Sequence, residues 1–266
     1  MPTAQINGIT TNYLLEGEGP ETVVLINGLA DDLYSWDFQV PALLEAGYRI
    51  LRFDNRGIGA SDKPAGPYTS RMLADDAKAL VDSLGITDFH LMGVSMGGMI
   101  AEEYALAYSS DVRTLTLACT YGTPDPFCLS MFSFWADLAQ KVDPAFVMRD
   151  VMLWAFTGPF FEDRPEDAAE FAGAMATLDM TVEAYLSQLN VIQQHDALGR
   201  VAEIGIPTLV LAGEEDILIP VRLSRRLHEG IPGSEWRTVP GGHACMWEFP
   251  DEFNASFIDY LRSTSR

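Results

Sequence analysis

A serine with glycines two residues away on either side, Gly93-Val94-Ser95-Met96-Gly97, joins an apolar run at 89–92 to a segment of helical pattern at 96–108. A serine at such a strand-to-helix turn is held in a strained backbone conformation, and its hydroxyl projects from the end of a sheet. It is a candidate nucleophile. The helix that follows brings backbone N–H groups and partial positive charge near an oxygen that becomes negative during acyl transfer. A serine attacks poorly until a base removes its proton, and that base must itself be oriented. Asp216, in Gly213-Glu214-Glu215-Asp216-Ile217, and His243, in Pro240-Gly241-Gly242-His243-Ala244, each follow a strand-like run and complete the set. Glu214 and Glu215 compete for the acid role, but a shorter aspartate after the Gly-x-x spacing suits the geometry better.

The other histidines read differently. His90 falls within a buried strand, and His228 lies on a late amphipathic helix, toward the surface. His195 could border a pocket or close a helix. A second oxyanion donor is expected in the turn after an early strand. Asn27-Gly28-Leu29-Ala30 follows Val24-Leu25-Ile26, and its glycine lets the backbone turn so that the N–H groups of Leu29 and Met96 aim at one oxygen.

Residues so far apart in sequence need a sheet to bring them together. Segments 22–26, 49–53, 89–93, 112–118, 208–212 and 235–239 read as strands alternating with amphipathic segments. That alternation predicts an α/β chain with a mostly parallel central sheet and helices on both faces. Segment 10–15 reads as an antiparallel edge. Segment 70–84 has Leu73, Ala77, Leu80 and Leu84 at helical spacing, with Thr69 as N-cap and Gly85 as stop. In an open parallel sheet the C-terminal strand ends share one edge, so Ser95, Asp216 and His243 should converge there.

The alternation breaks at 122–198, which becomes helical in pattern and rich in Phe, Trp and Met. It reads as a helical lid inserted into a core domain formed by 1–121 and 199–266. Most of its aromatic residues should build the lid's own core and its seam with the main domain. Trp135, Trp154 and Phe134 are the ones expected to contact substrate, in an apolar pocket suited to an acyl or alcohol group rather than a sugar or phosphate. Arg149 and Arg164 are lid cations that could reach it, although arginines on lid helices more often lie at the surface.

Composition narrows the partners. Seventeen basic against 38 acidic side chains give a net charge of −21, which makes nucleic acid an unsuitable partner. Three scattered cysteines, Cys119, Cys128 and Cys245, suggest a reducing compartment rather than a disulfide framework. With no signal-like start and no apolar stretch of spanning length, the expectation is a soluble, cytosolic protein without a membrane partner. Homo-oligomer formation is left open.

Asn27-Gly28-Leu29-Ala30, the stretch from Asp54 to Ser61, Gly93-Val94-Ser95-Met96-Gly97-Gly98, Gly213-Glu214-Glu215-Asp216 and Gly242-His243 together resemble a lidded α/β-hydrolase of the serine esterase, lactonase and meta-cleavage hydrolase group. Asn27 with Asp31, Asp32 and Trp36, and the run Ser95 to Ile100, look most like the 3-oxoadipate enol-lactonase branch. The resemblance implies that Ser95 attacks a carbonyl, His243 shuttles its proton, Asp216 holds His243, and Leu29 and Met96 bind the oxyanion. It implies no metal or organic cofactor, and a small-molecule ester or lactone as substrate. Asp54 and Arg56 are expected to stabilise a turn through neighbouring backbone. A carbon–carbon bond hydrolase with the same triad, and a ligand receptor on the hydrolase scaffold, are the alternatives.

Overall fold

Every residue of β3 (Thr22–Ile26) is buried, and its side chains divide between two cores: Val24 and Ile26 enter one, Val23 and Leu25 the other. A strand behaves this way when helices cover both faces of its sheet. In the computed structural model, which describes residues 1–264, the other strands are β1 (Thr3–Ile6), β2 (Ile9–Glu16), β4 (Arg49–Phe53), β5 (Phe89–Val94), β6 (Val112–Ala118), β7 (Thr208–Gly213) and β8 (Glu235–Val239). They form one sheet in the order β1-β2-β4-β3-β5-β6-β7-β8. The first two pairings, β1 with β2 and β2 with β4, are antiparallel, and all later ones are parallel.

One strand expectation needs correcting. The segment expected at the antiparallel edge, now β2, is second from the edge because β1 pairs outside it. Asn7 and Gly8, both at positive φ (45° and 78°), close a two-residue hairpin between Ile6 and Ile9. Asn-Gly favours that turn because both residues tolerate the left-handed region.

Helices alternate with the strands: α1 (Val40–Glu45), α2 (Ser70–Ser83) and α3 (Met96–Ala107) come first. Thr69 caps α2 by accepting the Met72 N–H at 3.1 Å. Between β6 and β7 the chain runs through α4 (Pro126–Ala139), α5 (Pro144–Ala155), α6 (Gly158–Asp163), α7 (Pro165–Ala176) and α8 (Val182–Gln194). Asp125, Asp143 and Thr181 cap α4, α5 and α8, each accepting a backbone N–H three residues on. After β7 come α9 (Val221–Gly230), α10 (Cys245–Glu248) and α11 (Pro250–Thr264). Among the described residues no helix is long and apolar enough to cross a membrane.

Aromatic packing ties the inserted helices to the rest. Phe156 stacks on Phe160 at 4.4 Å between ring centres and on Trp247 at 6.1 Å, while Phe171 lies 5.5 Å from Trp247.

Candidate active site

The turn after β5 shows why this segment carries glycines. Ser95 adopts φ 54°, ψ −120°, and its backbone is fixed from both sides: its N–H donates to Ala118 O at 2.9 Å and its carbonyl accepts the Thr120 hydroxyl at 2.8 Å. A Cβ on Gly93 would lie 2.1 Å from Gly97 O, and one on Gly97 would lie 2.1 Å from Ile26 O. Both obstacles are backbone atoms, so neither position has room for a side chain. Strain at Ser95 is held by this packing and aims its hydroxyl off the sheet edge.

The acid and base loops follow β7 and β8 and are stitched together. Glu214 N–H donates to Val239 O and Glu215 N–H to Gly241 O, each at 2.9 Å. Glu214 and Glu215 are exposed, whereas Asp216 is buried. Asp216 Oδ1 accepts the Ile219 N–H at 2.8 Å, and its Oδ2 lies 2.8 Å from His243 Nδ1. Burial opposes a charge on His243, but the Asp216 carboxylate overrides it through charge and hydrogen bond and raises the imidazole pKa to about 9. Ser95 and His243 line one cavity without a hydrogen bond between their side chains. Such contacts are often loose before substrate arrives.

Leu29 reaches the same cavity from the loop after β3. Asn27 fixes that loop: its side chain accepts the Trp36 indole N–H at 2.6 Å and donates to Phe53 O at 2.9 Å. From α8, Gln188 Oε1 accepts the Ala30 N–H at 3.0 Å. Among the described residues the Leu29 and Met96 backbone N–H groups donate to no other protein atom, which leaves both available to an oxyanion.

The inserted helices form the rest of the wall. Phe132 and Trp135 on α4, Met148, Val151 and Met152 on α5, Met175 on α7 and Ile192 on α8 line the cavity. Trp135 is anchored by its indole N–H to Asp150 at 2.9 Å. Two expected contacts are corrected. Phe134 is 57% exposed, because Cys128, Met131, Phe132 and Trp135 form the buried face of α4 and residue 134 falls outside it. Trp154 is off the lining as well, packed edge-on against Phe127 at 6.3 Å.

The charged residues around the site have other surroundings. Arg149 is exposed, and Arg164 pairs with Asp167 and donates to Glu248 O at 2.9 Å. Arg56, expected to contact backbone, instead forms a two-bond ion pair with the Asp76 carboxylate, because α2 presents that acid beside the turn. Asp54 does bind backbone, accepting from Leu33 and Ala60 at 2.8 and 2.9 Å.

His195 caps α8, buried between Ser70 (3.0 Å) and Glu102 (3.2 Å), away from the cavity. His90 is buried on β5 against Thr114, and His228 is only half-buried, beside Trp236. Among the described residues Cys119, Asp216 and His243 form the one group spaced for a metal, with ligand atoms within 4.8 Å. Asp216 and His243 spend the facing atoms on each other, and Cys119 Sγ faces Cys245 Sγ at 3.6 Å.

The cavity also holds Asp31, whose role residue types did not reveal. Its position two residues past Leu29 was the available signal.

A family model described as alpha/beta hydrolase fold matches residues 21–250. The enol-lactonase from Burkholderia xenovorans LB400 superposes with a TM-score of 0.90 at 28% identity, covering 98% of this chain and 100% of that one. A hydrolase from Pseudomonas aeruginosa gives 0.89 at 27%, covering 98% and 97%. The candidate carbamate hydrolase RutD of Azorhizobium caulinodans is 28% identical over 261 residues, 98% of each chain.

Proposed function

The chain belongs to the alpha/beta hydrolase family, and on that premise we propose that it cleaves a carboxylic ester or lactone of a small, largely apolar substrate through an acyl-enzyme on Ser95. The observation that carries this reading is the Asp216–His243 hydrogen bond at 2.8 Å opening into a cavity that Ser95 shares.

Ser95 Oγ attacks the carbonyl carbon as His243 Nε2 takes its proton. The N–H groups of Leu29 and Met96 hold the resulting oxyanion. His243 then protonates the departing alcohol oxygen, and the acyl group stays on Ser95. A water that gives its proton to His243 attacks the acyl carbon, and the proton returns to Ser95 as the acid leaves. Asp216 holds the tautomer that makes each transfer possible. Residues 122–198 act as a lid whose apolar inner wall seats the substrate and excludes bulk water. A cytosolic setting and a small-molecule partner complete the reading.

The test is turnover of short and long p-nitrophenyl esters, aliphatic and aromatic lactones and an aryl carbamate, with Ser95→Ala alongside. Turnover should fall at least about 10³-fold in the variant. Retained turnover would overturn the proposal. A dienoate preferred over every ester would favour carbon–carbon cleavage instead.

A further inference from the structure

Asp31 stands in the cavity without a part in the triad chemistry. It shares the wall with Ser95 and His243, and it and His243 are the titratable groups there. Its carboxyl and the nucleophile flank one glycine: a Cβ on Gly28 would lie 2.6 Å from Asp31 Oδ2 and 3.6 Å from Ser95 Cβ. The groups facing it are the Asp32 carboxylate, the His243 imidazole and the Gly28 N–H.

Asp31 also borders an adjoining cavity with Asp32, Asp179, Phe38, Phe171 and Trp247. Among the described residues no lysine or arginine lines either space. Lys63 answers Asp179 at 3.3 Å, and the Tyr34 N–H answers Asp32 at 2.8 Å. Among the described residues no lysine or arginine pairs with Asp31.

Resting on the hydrolase reading, we propose that Asp31 is a specificity-determining residue that selects esters or lactones carrying an ammonium group at the non-reacting end and rejects those carrying a carboxylate. An ammonium at the junction of the two cavities meets a carboxylate that no lysine or arginine pairs with, beside the aromatic side chains of Trp247 and Phe171. The net charge of −21 draws cations toward the molecule and repels anions. No bond is made or broken by Asp31 in this role. Burial and Asp32 raise its pKa to about 7, against the pull of His243, so the selection strengthens as pH rises through that value.

The test compares butyrate thioesters of three thiols of similar length, ending in trimethylammonium, tert-butyl and carboxylate, on the native enzyme and Asp31→Asn. At about pH 8.5 the native kcat/KM should favour the ammonium thioester over the carboxylate one by at least about tenfold, a gap that Asp31→Asn closes to within about threefold. On the native enzyme the ratio should also fall when the pH drops to about 5.5, where Asp31 is protonated, both end groups keep their charge and the contribution of His243 cancels. A native enzyme without the preference, or one whose preference survives Asp31→Asn, overturns the inference. If Asp31→Asn does not accumulate, the native pH series decides, and a flat ratio overturns it. Cleavage of the neutral thioester without charge selection removes only the role of Asp31. Failure of a fluorophosphonate to label Ser95 removes the hydrolase reading as well.

Discussion

His243 must be neutral to accept the Ser95 proton, and Asp216 favours its charged form. Protonation therefore switches the base off, and kcat/KM for a neutral ester should climb with pH toward a plateau above the imidazole pKa of about 9. Asp216→Asn removes the anion that raises this value, so the acid limb of the profile should move to lower pH. Turnover should also fall, by about 10⁴-fold, because the imidazole loses its orienting partner. A pH–rate profile of the variant checks both. An acid limb left in place would show that Asp216 does not control the base.

At the scale of elements, the base loop is fastened to the inserted helices. Glu248 Oε1 accepts the Gly242 N–H at 2.8 Å, and its Oε2 accepts the Thr157 N–H and hydroxyl at 3.1 and 2.6 Å. Ala244 N–H donates to Ala155 O at 2.9 Å. Glu248→Ala strands a buried donor at Gly242 and half-buried ones at Thr157, at a cost of about 2 kcal/mol. Melting should drop by about 4–8 °C, with kcat falling more than KM rises as His243 loses its support. An unchanged melting curve would show the tie to be dispensable. Gly97→Ala drives a Cβ into Ile26 O and should abolish the folded enzyme, whereas Gly173, in α7, faces open space. Gly173→Ala should raise stability by about 0.5–1 kcal/mol, read by denaturant unfolding.

For the molecule as a whole, the excess of 38 acidic over 17 basic side chains sets a self-repulsion that local ion pairs do not cancel. Raising salt from about 0.05 M to about 0.5 M shortens the screening length, so the melting temperature should rise. A flat or falling response would show that the charges are dispersed widely enough not to matter. The sheet gathers Ser95, Asp216 and His243 at one edge, because β5, β7 and β8 run parallel.

Much of that arrangement was legible in the chain. Strand and helix periods, the Thr69 cap and the glycine spacing around Ser95 are local, so residue types alone select them. The Asn7-Gly8 hairpin rests on the same local chemistry, and it is what puts β1 outside β2 at the sheet edge. What sequence could not decide was contact between distant segments. Trp135 and Phe134 are neighbours of similar character, yet α4 turns one into the cavity and the other to solvent, and only its packing partners fix which. Cys119 and Cys245, 126 positions apart, end with their sulfurs 3.6 Å from each other. Arg56 finds Asp76 on α2, and Asp31 meets His243 only because β3 and β8 end on one side of the sheet. Sequence thus determined the elements and the order of the reactive residues, since periodicity and turn chemistry act over a few residues. Tertiary structure decided which side chains share the cavity and which charges face one another, since those depend on how separate elements pack.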